Sequence, residues 1–391
     1  MKNEIVVTAL CALLSAAMLS CVKTVPSHFE EPGAVTTFSQ VFERFWTGMN
    51  NNYVYWDIDT TNWDHIYTIY KPIFDRLDFD DADDIQQSVT LFRQMTYSLF
   101  DNHFQIVFTH PLLKETVIYP AANRKQLEIG FHFPFDYTKI DSLYFDPGFN
   151  TVYDSLSDQS SIPLELTVAT IGHAIIYVHC NEFSLLQSYR SSSSINQVRP
   201  VLDSLFGVLH HLPARIKGMI LDVRNNYGGH LDDLHFLIGQ LIDEPLRIGY
   251  TRYKSGSGRL DYSPWIEASV KPQVGAVAFK YPVVALTDNF TVSLAEAAAM
   301  AVHAMPRGRV VGEKTWGATG PLVGEEVYNS GQFDIPNFLT VYTASAAFKY
   351  IDGIMYENLG FPPDTEIPFN QQTLLSGKDP ALEKAIQSIG Q

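Results

Sequence analysis

Beyond residue 173 the chain alternates between two hydrophobic periods, and that alternation leaves few folds open. Residues 174–178, 219–223 and 283–286 are apolar runs of strand length. Residues 202–212, 234–242 and the alanine-rich 295–304 carry helical spacing. Buried-type strands alternating with helices predict an α/β core with a largely parallel sheet. The chain has 391 residues, 46% of them hydrophobic, which suffices for such a core and a further subdomain. No internal repeat or low-complexity tract stands out.

Upstream the patterning changes. Over 35–110 it is helical and aromatic: Phe38, Val41, Phe42 and Phe45 share one face, as do Leu91, Met95 and Leu99. A further helix is expected over 66–74, with Pro72 as a point where it can stop early. The acidic cluster Asp78, Asp80, Asp81, Asp83 and Asp84 lacks the glycine and glutamate of a calcium loop. It reads as the start of a helix near Asp84, where the dipole favours negative charge. Residues 111–170 mix short apolar alternations with Pro, Gly, Asp and Ser clusters, predicting a short β-rich insert. The core is expected over 171–391.

The first residues read as an export signal. Lys2 precedes an apolar run, and Met18-Leu19-Ser20-Cys21 places a small residue before a cysteine. This resembles a bacterial lipoprotein signal over 1–20, with Cys21 lipidated and 21–34 as a tether. An ordinary cleaved signal or an uncleaved anchor are the alternatives. The expected location is the cell envelope, facing the periplasm or exterior, with the membrane contacted through the lipid. Of three cysteines, only Cys180 then lies in the folded part, as a small buried hydrophobe. The net charge of −16 argues against a nucleic-acid groove, which needs clustered Lys and Arg.

Five segments carry candidate chemistry. Ser293 follows the 283–286 strand and opens the alanine-rich helix, where free N–H groups favour developing negative charge. With Glu296 it also spells a capping box, a purely structural role. The 222–229 segment runs from a buried strand into Gly228-Gly229, where backbone N–H groups can approach a ligand; a plain turn is the alternative. His103, after Asp101-Asn102, has the right chemistry for a general base, although a lone histidine is commonly structural. Residues 310–318 and 356–364 each resemble a strand ending in a Gly/Pro turn.

In this order the five segments resemble peptidase family S41: carboxyl-terminal-processing proteases, the tricorn core and their retinoid-binding relatives. The 222–229 segment is the most specific match, followed by Ser-x-Ala-Glu at 293–296, Gly-Glu-Lys-Thr-x-Gly at 312–317 and Gly-x-x-Pro-Asp at 360–364. The resemblance implies a ClpP/crotonase-like α/β core with an N-terminal helical subdomain and no clear PDZ domain; residues 127–133 offer only a weak counterpart of the carboxylate loop. It implies a serine endopeptidase forming an acyl-enzyme through Ser293, His103 and Glu357. Asn102 and Glu357 would orient the imidazole and Glu296 would support the site. Leu294 with Gly228 or Gly229 would hold the oxyanion. The processing-protease lysine is missing from Gly317-Ala318-Thr319. This points to the tricorn-like branch, with Lys314 as an alternative base. The expected substrate is a peptide or unfolded protein, with no metal or cofactor. A catalytically inactive ligand- or peptide-binding protein on the same fold is the main alternative, and an unrelated glycan-binding or scaffold lipoprotein the other.

Overall fold

In the computed structural model, which describes residues 33–154, 163–192, 196–256, 258–322 and 331–390, the apolar runs form the middle of a seven-stranded sheet. Its order is β14 (Thr365–Glu366), β10 (Gly308–Gly312), β9 (Val283–Thr287), β6 (Gly218–Asp222), β5 (Ile175–Cys180), β4 (Leu164–Ile171) and β3 (Asn150–Asp154). The strands from β14 to β5 run parallel, and β4 and β3 add an antiparallel edge. Residues 1–20, Cys21 and most of the 21–34 tether lie outside the described residues.

The runs are unbroken because the sheet is buried on both faces. Met219, Leu221, Val283 and Ala285 point into one core, with α4 (Val198–His210), α5 (Asp232–Ile238) and α6 (Leu294–Ala304). Ile220, Val284 and Leu286 point into the other, against α7 (Pro380–Ile389). Successive residues of a strand face opposite sides, so a central strand offers no polar face.

The N-terminal part contains α1 (Phe38–Asn52), α2 (Trp63–Phe74) and α3 (Ala82–Thr96). Phe38, Val41, Phe42 and Phe45 are buried along α1 as the spacing predicts. Pro72 lies inside α2, which runs on to Phe74. Asp81 caps α3, accepting the N–H groups of Asp83 and Asp84, so part of the acidic cluster satisfies a helix terminus. These helices are not packed only on one another. They rest on a four-stranded antiparallel sheet ordered β11 (Gln332–Ile335), β12 (Leu339–Tyr342), β1 (Gln105–Phe108) and β2 (Val117–Ile118). Ile335, Phe338, Leu339 and Val341 share a core with Phe38, Phe45 and Phe92.

Residues 111–170 hold β2, single-turn helices at Pro120–Lys125 and Thr138–Asp141, and then β3 and β4. Their β content is thus divided between two sheets shared with other parts of the chain. A third sheet, β13 (Ala346–Tyr350), β7 (Leu246–Tyr253) and β8 (Ile266–Val270), completes the fold. Among the described residues no helix is long and apolar enough to cross a membrane.

Candidate active site

Strands β6 and β9 are parallel neighbours, pairing Leu221 with Ala285 and Asp222 with Leu286. The turns that follow them therefore open at the same end of the sheet, the usual place for a site in such folds. The β6 turn carries Gly228 and Gly229, and the β9 turn carries Ser293 into α6. They are joined where Val292 N donates to Asn226 O at 2.9 Å. Asn226 Oδ1 accepts Gly228 N, and its Nδ2 donates to Cys180 O.

Ser293 has φ 56° and ψ −118°, a strained conformation for a residue with a Cβ. Ser293 Oγ lies 3.1 Å from His103 Nε2. The expected capping box is present, and in it Glu296 Oε2 accepts Ser293 N at 3.0 Å. Glu296 is fully buried and also accepts Ala318 N, Gly317 N and Thr315 Oγ1, each within 2.7 Å.

The glycines are required here by sterics. A Cβ on Gly228 would stand 2.7 Å from Ser293 Cβ and 2.8 Å from Leu294 N. A Cβ on Gly229 would stand 2.2 Å from Phe183 O. Both residues have positive φ. Gly228 N is committed to Asn226 Oδ1, which removes it from the expected oxyanion pair. The N–H groups of Gly229 and Leu294 have no partner among the described residues.

His103 arrives from the other subdomain, between α3 and β1. Asp101 fixes its backbone, with Oδ1 accepting His103 N and Oδ2 accepting Ala344 N, both at 2.7 Å. Burial lowers the His103 pKa to about 4, because a charged imidazole loses its hydration there. The ring is therefore neutral near pH 7 and able to accept a proton.

The expected orienting bonds to this ring are not present. His103 Nδ1 is buried without a partner among the described residues. Asn102 instead donates Nδ2 to Gly317 O and accepts Arg124 Nη2 at Oδ1, both at 2.9 Å. Glu357 accepts Asn102 N at 2.7 Å, Thr319 N at 2.7 Å and Gly320 N at 2.8 Å. A buried carboxylate needs such donors, and the main chain supplies them. Glu357 thus ties the backbone next to His103 to residues 319 and 320, acting on His103 through Asn102. Its own pKa is raised to about 8, first by burial and then by the charge of Asp101.

Lys314 is exposed, and among the described residues it makes no bond to Ser293. The Gly317–Gly320 loop, where a base lysine would sit, is instead gripped by Glu296 and Glu357 from either side. Asp101, His103 and Glu357 present one atom each within 4.8 Å of the others, as a metal site would. Their carboxylate oxygens already accept main-chain N–H groups, so the group is a hydrogen-bonded junction.

Several contributors carry no expectation from sequence. Asp101 is recognisable only as a neighbour of His103. Arg224, buried below the glycine turn, bonds Asp222, Asp141 and Asp379 and lies 3.9 Å from the Tyr137 ring centroid. Nothing in the local patterns around Asp141 or Asp379 announces that junction.

The family model described as Peptidase family S41 matches residues 174–367, and that described as Tricorn protease C1 domain matches residues 34–81. Ser293, the glycine turn and Glu357 fall within the first span; Asn102 and His103 fall outside both. The tricorn protease of Thermoplasma acidophilum is 29% identical over 175 residues, 44% of this chain and 14% of that protein. Tricorn protease homolog 1 of Streptomyces coelicolor is 26% identical over 247 residues, 57% of this chain and 21% of that one. The chain thus spans a small fraction of these relatives' length. A solved structure from Parabacteroides merdae shares the fold, with a TM-score of 0.68 at 20% identity over 91% of this chain and 97% of that one.

Proposed function

The chain is an S41 tricorn-like protein, and from that premise we propose that it is a peptidase cutting peptides or unfolded polypeptides through Ser293 and His103. The observation that carries this reading is the 3.1 Å approach of Ser293 Oγ to a neutral, buried His103 Nε2. In the proposed reaction Ser293 Oγ attacks the peptide carbonyl as its proton passes to His103 Nε2. Negative charge develops on the carbonyl oxygen, and the Gly229 and Leu294 N–H groups receive it. The imidazolium then gives its proton to the leaving amine, and water releases the acyl group by the same steps in reverse. Asp101, Asn102 and Glu357 position His103 through its backbone. Glu296 holds Ser293 N and the Gly317–Ala318 loop.

One observation favours a second reading, a peptide- or ligand-binding protein without turnover. His103 Nδ1 has no acceptor, and an imidazolium lacking one is less stabilised. Fluorophosphonate labelling of the full chain separates the two. Labelling lost in both Ser293→Ala and His103→Ala supports the peptidase. Labelling that survives His103→Ala assigns another base, and no labelling of folded protein supports the binder. Lys2, the apolar run and the Met18–Cys21 pattern support a lipid on Cys21 and an envelope location; mass spectrometry of the N-terminal peptide tests both.

A further inference from the structure

At the base of the glycine turn one guanidinium meets three carboxylates. Asp222, Asp141 and Asp379 all bond Arg224, and all four side chains are at most 2% exposed. With every acid ionised, the junction would carry two uncompensated negative charges in the interior, where unpaired charge is costly. No other group facing it supplies a positive charge among the described residues. Tyr177 on β5 donates its hydroxyl to the acids, and the Tyr137 ring lies over Arg224. His179 is turned to the main chain, with Nδ1 at 3.1 Å from Asp222 O. Tyr144 accepts Asp379 N through its hydroxyl.

The donors are shared unequally. Asp222 receives Arg224 N at 3.0 Å, Nε at 2.9 Å and Nη2 at 2.5 Å, with the Tyr177 hydroxyl at 2.8 Å. Asp379 receives Arg224 Nη1 at 2.6 Å and the N–H groups of Ala381 and Leu382 at 2.9 Å. Asp141 has only donors that also serve Asp222. Arg224 Nη2 and the Tyr177 hydroxyl reach its Oδ2 at 2.9 and 3.1 Å. Its Oδ1 is buried with no partner among the described residues. An oxygen without donors is a poor place for charge and a ready one for a proton. Burial, then the charges of Asp379 and Asp222, raise the Asp141 pKa against the pull of Arg224, and the Asp379 side chain is placed to share a hydrogen bond with it.

We propose that Asp141 is a neutral carboxylic acid in the folded chain near neutral pH, donating a hydrogen bond to Asp379, and that this proton makes the junction a pH-sensitive fastening of the fold. The junction ties the turn at Asp141 and the cap of α7 to the end of β6, four residues ahead of Gly228. Turnover plays no part in it. The unfolded chain releases this proton above about pH 4 while the folded chain keeps it. The fastening is therefore firmest in acid and weakens as pH rises toward the point where folded Asp141 ionises.

The test compares the full-length chain with Asp141→Asn and Asp222→Asn by urea denaturation between about pH 5 and about pH 8. Asparagine copies a protonated acid in shape, with an acceptor on one side and a donor on the other. Asp141→Asn should therefore fold. Its folding constant relative to the unsubstituted chain is expected to rise by up to about tenfold for each pH unit. Groups that titrate in both chains cancel in that ratio. Asp222→Asn removes an ionised partner of Arg224 and is expected to lower stability throughout. Infrared difference spectra near neutral pH should show a protonated carboxyl band that Asp141→Asn lacks. A ratio that is flat or falls with pH, a missing band, or an Asp141→Asn chain that fails to fold makes Asp141 an ordinary ion-pair partner and overturns the proposal.

Discussion

At the scale of single residues, function depends on atoms kept from their ordinary partners. Ser293 Oγ meets His103 at 3.1 Å from a residue of positive φ. Gly229→Ala would place a methyl group 2.2 Å from Phe183 O. The turn must shift and its donor with it, so labelling is expected to fall about 100-fold while circular dichroism stays native. Normal labelling in that variant would move the oxyanion site elsewhere. His103 makes a prediction in pH. Its folded pKa of about 4 keeps the base free well below the ordinary value of about 6.5. The labelling rate should hold through pH 6.5 and halve near pH 4. Stability follows the same neutral form: the unfolded chain takes up this proton first as pH falls, so His103 destabilises the fold progressively from about pH 6.5 down to about 4. A labelling midpoint near 6.5 would contradict the burial argument.

At the scale of elements, strand ends and helix starts are tied by buried carboxylates. Glu296 joins the start of α6 to the 315–318 loop. Glu296→Gln keeps the shape but turns an N–H₂ toward groups that are themselves donors. A loss of labelling of about tenfold or more is expected, with kcat falling further than KM rises if only positioning is lost. Asp379 accepts the first N–H groups of α7 and pairs with Arg224 at 2.6 Å. Asp379→Ala leaves Arg224 with two of its three carboxylate partners and α7 without its cap. Removing one partner of a buried pair costs about 3–5 kcal/mol, readable by urea denaturation. A change under about 1 kcal/mol would mean that Arg224 is compensated by Asp141 and Asp222.

At the scale of the whole molecule, the base and the nucleophile belong to different cores. His103 is carried by the helical part and Ser293 by the seven-stranded sheet, and the helical part is completed by β11 and β12 from far along the chain. It therefore cannot be removed as a separate domain. A chain starting at residue 111 would expose Phe338, Leu339 and Val341 and leave β12 without β1. It is expected to bind a hydrophobic dye and to lose cooperative melting, whereas a separable domain would leave a cooperative remainder.

Local chemistry is what the amino-acid sequence determined by itself. The two-sided apolar runs specify buried parallel strands, because a strand covered on both faces has no place for alternating polar residues. Phe38, Val41, Phe42 and Phe45 specify the buried face of α1 for the same kind of reason, a period matched to geometry. Ser293 and Gly228-Gly229 were legible as turns after strands. Their meeting was not visible in either segment, since it depends on β6 and β9 being neighbours. Only the tertiary structure decided which donors each buried carboxylate would meet. Glu357 and Asn102 were expected at the imidazole and instead hold Thr319, Gly320 and Gly317, because unpaired main-chain groups in the interior claim nearby acceptors. Lys314, adjacent in sequence to the loop beside the site, is directed into solvent. Spacing along a chain constrains periodicity and turn chemistry; direction and distance across the core follow from packing alone.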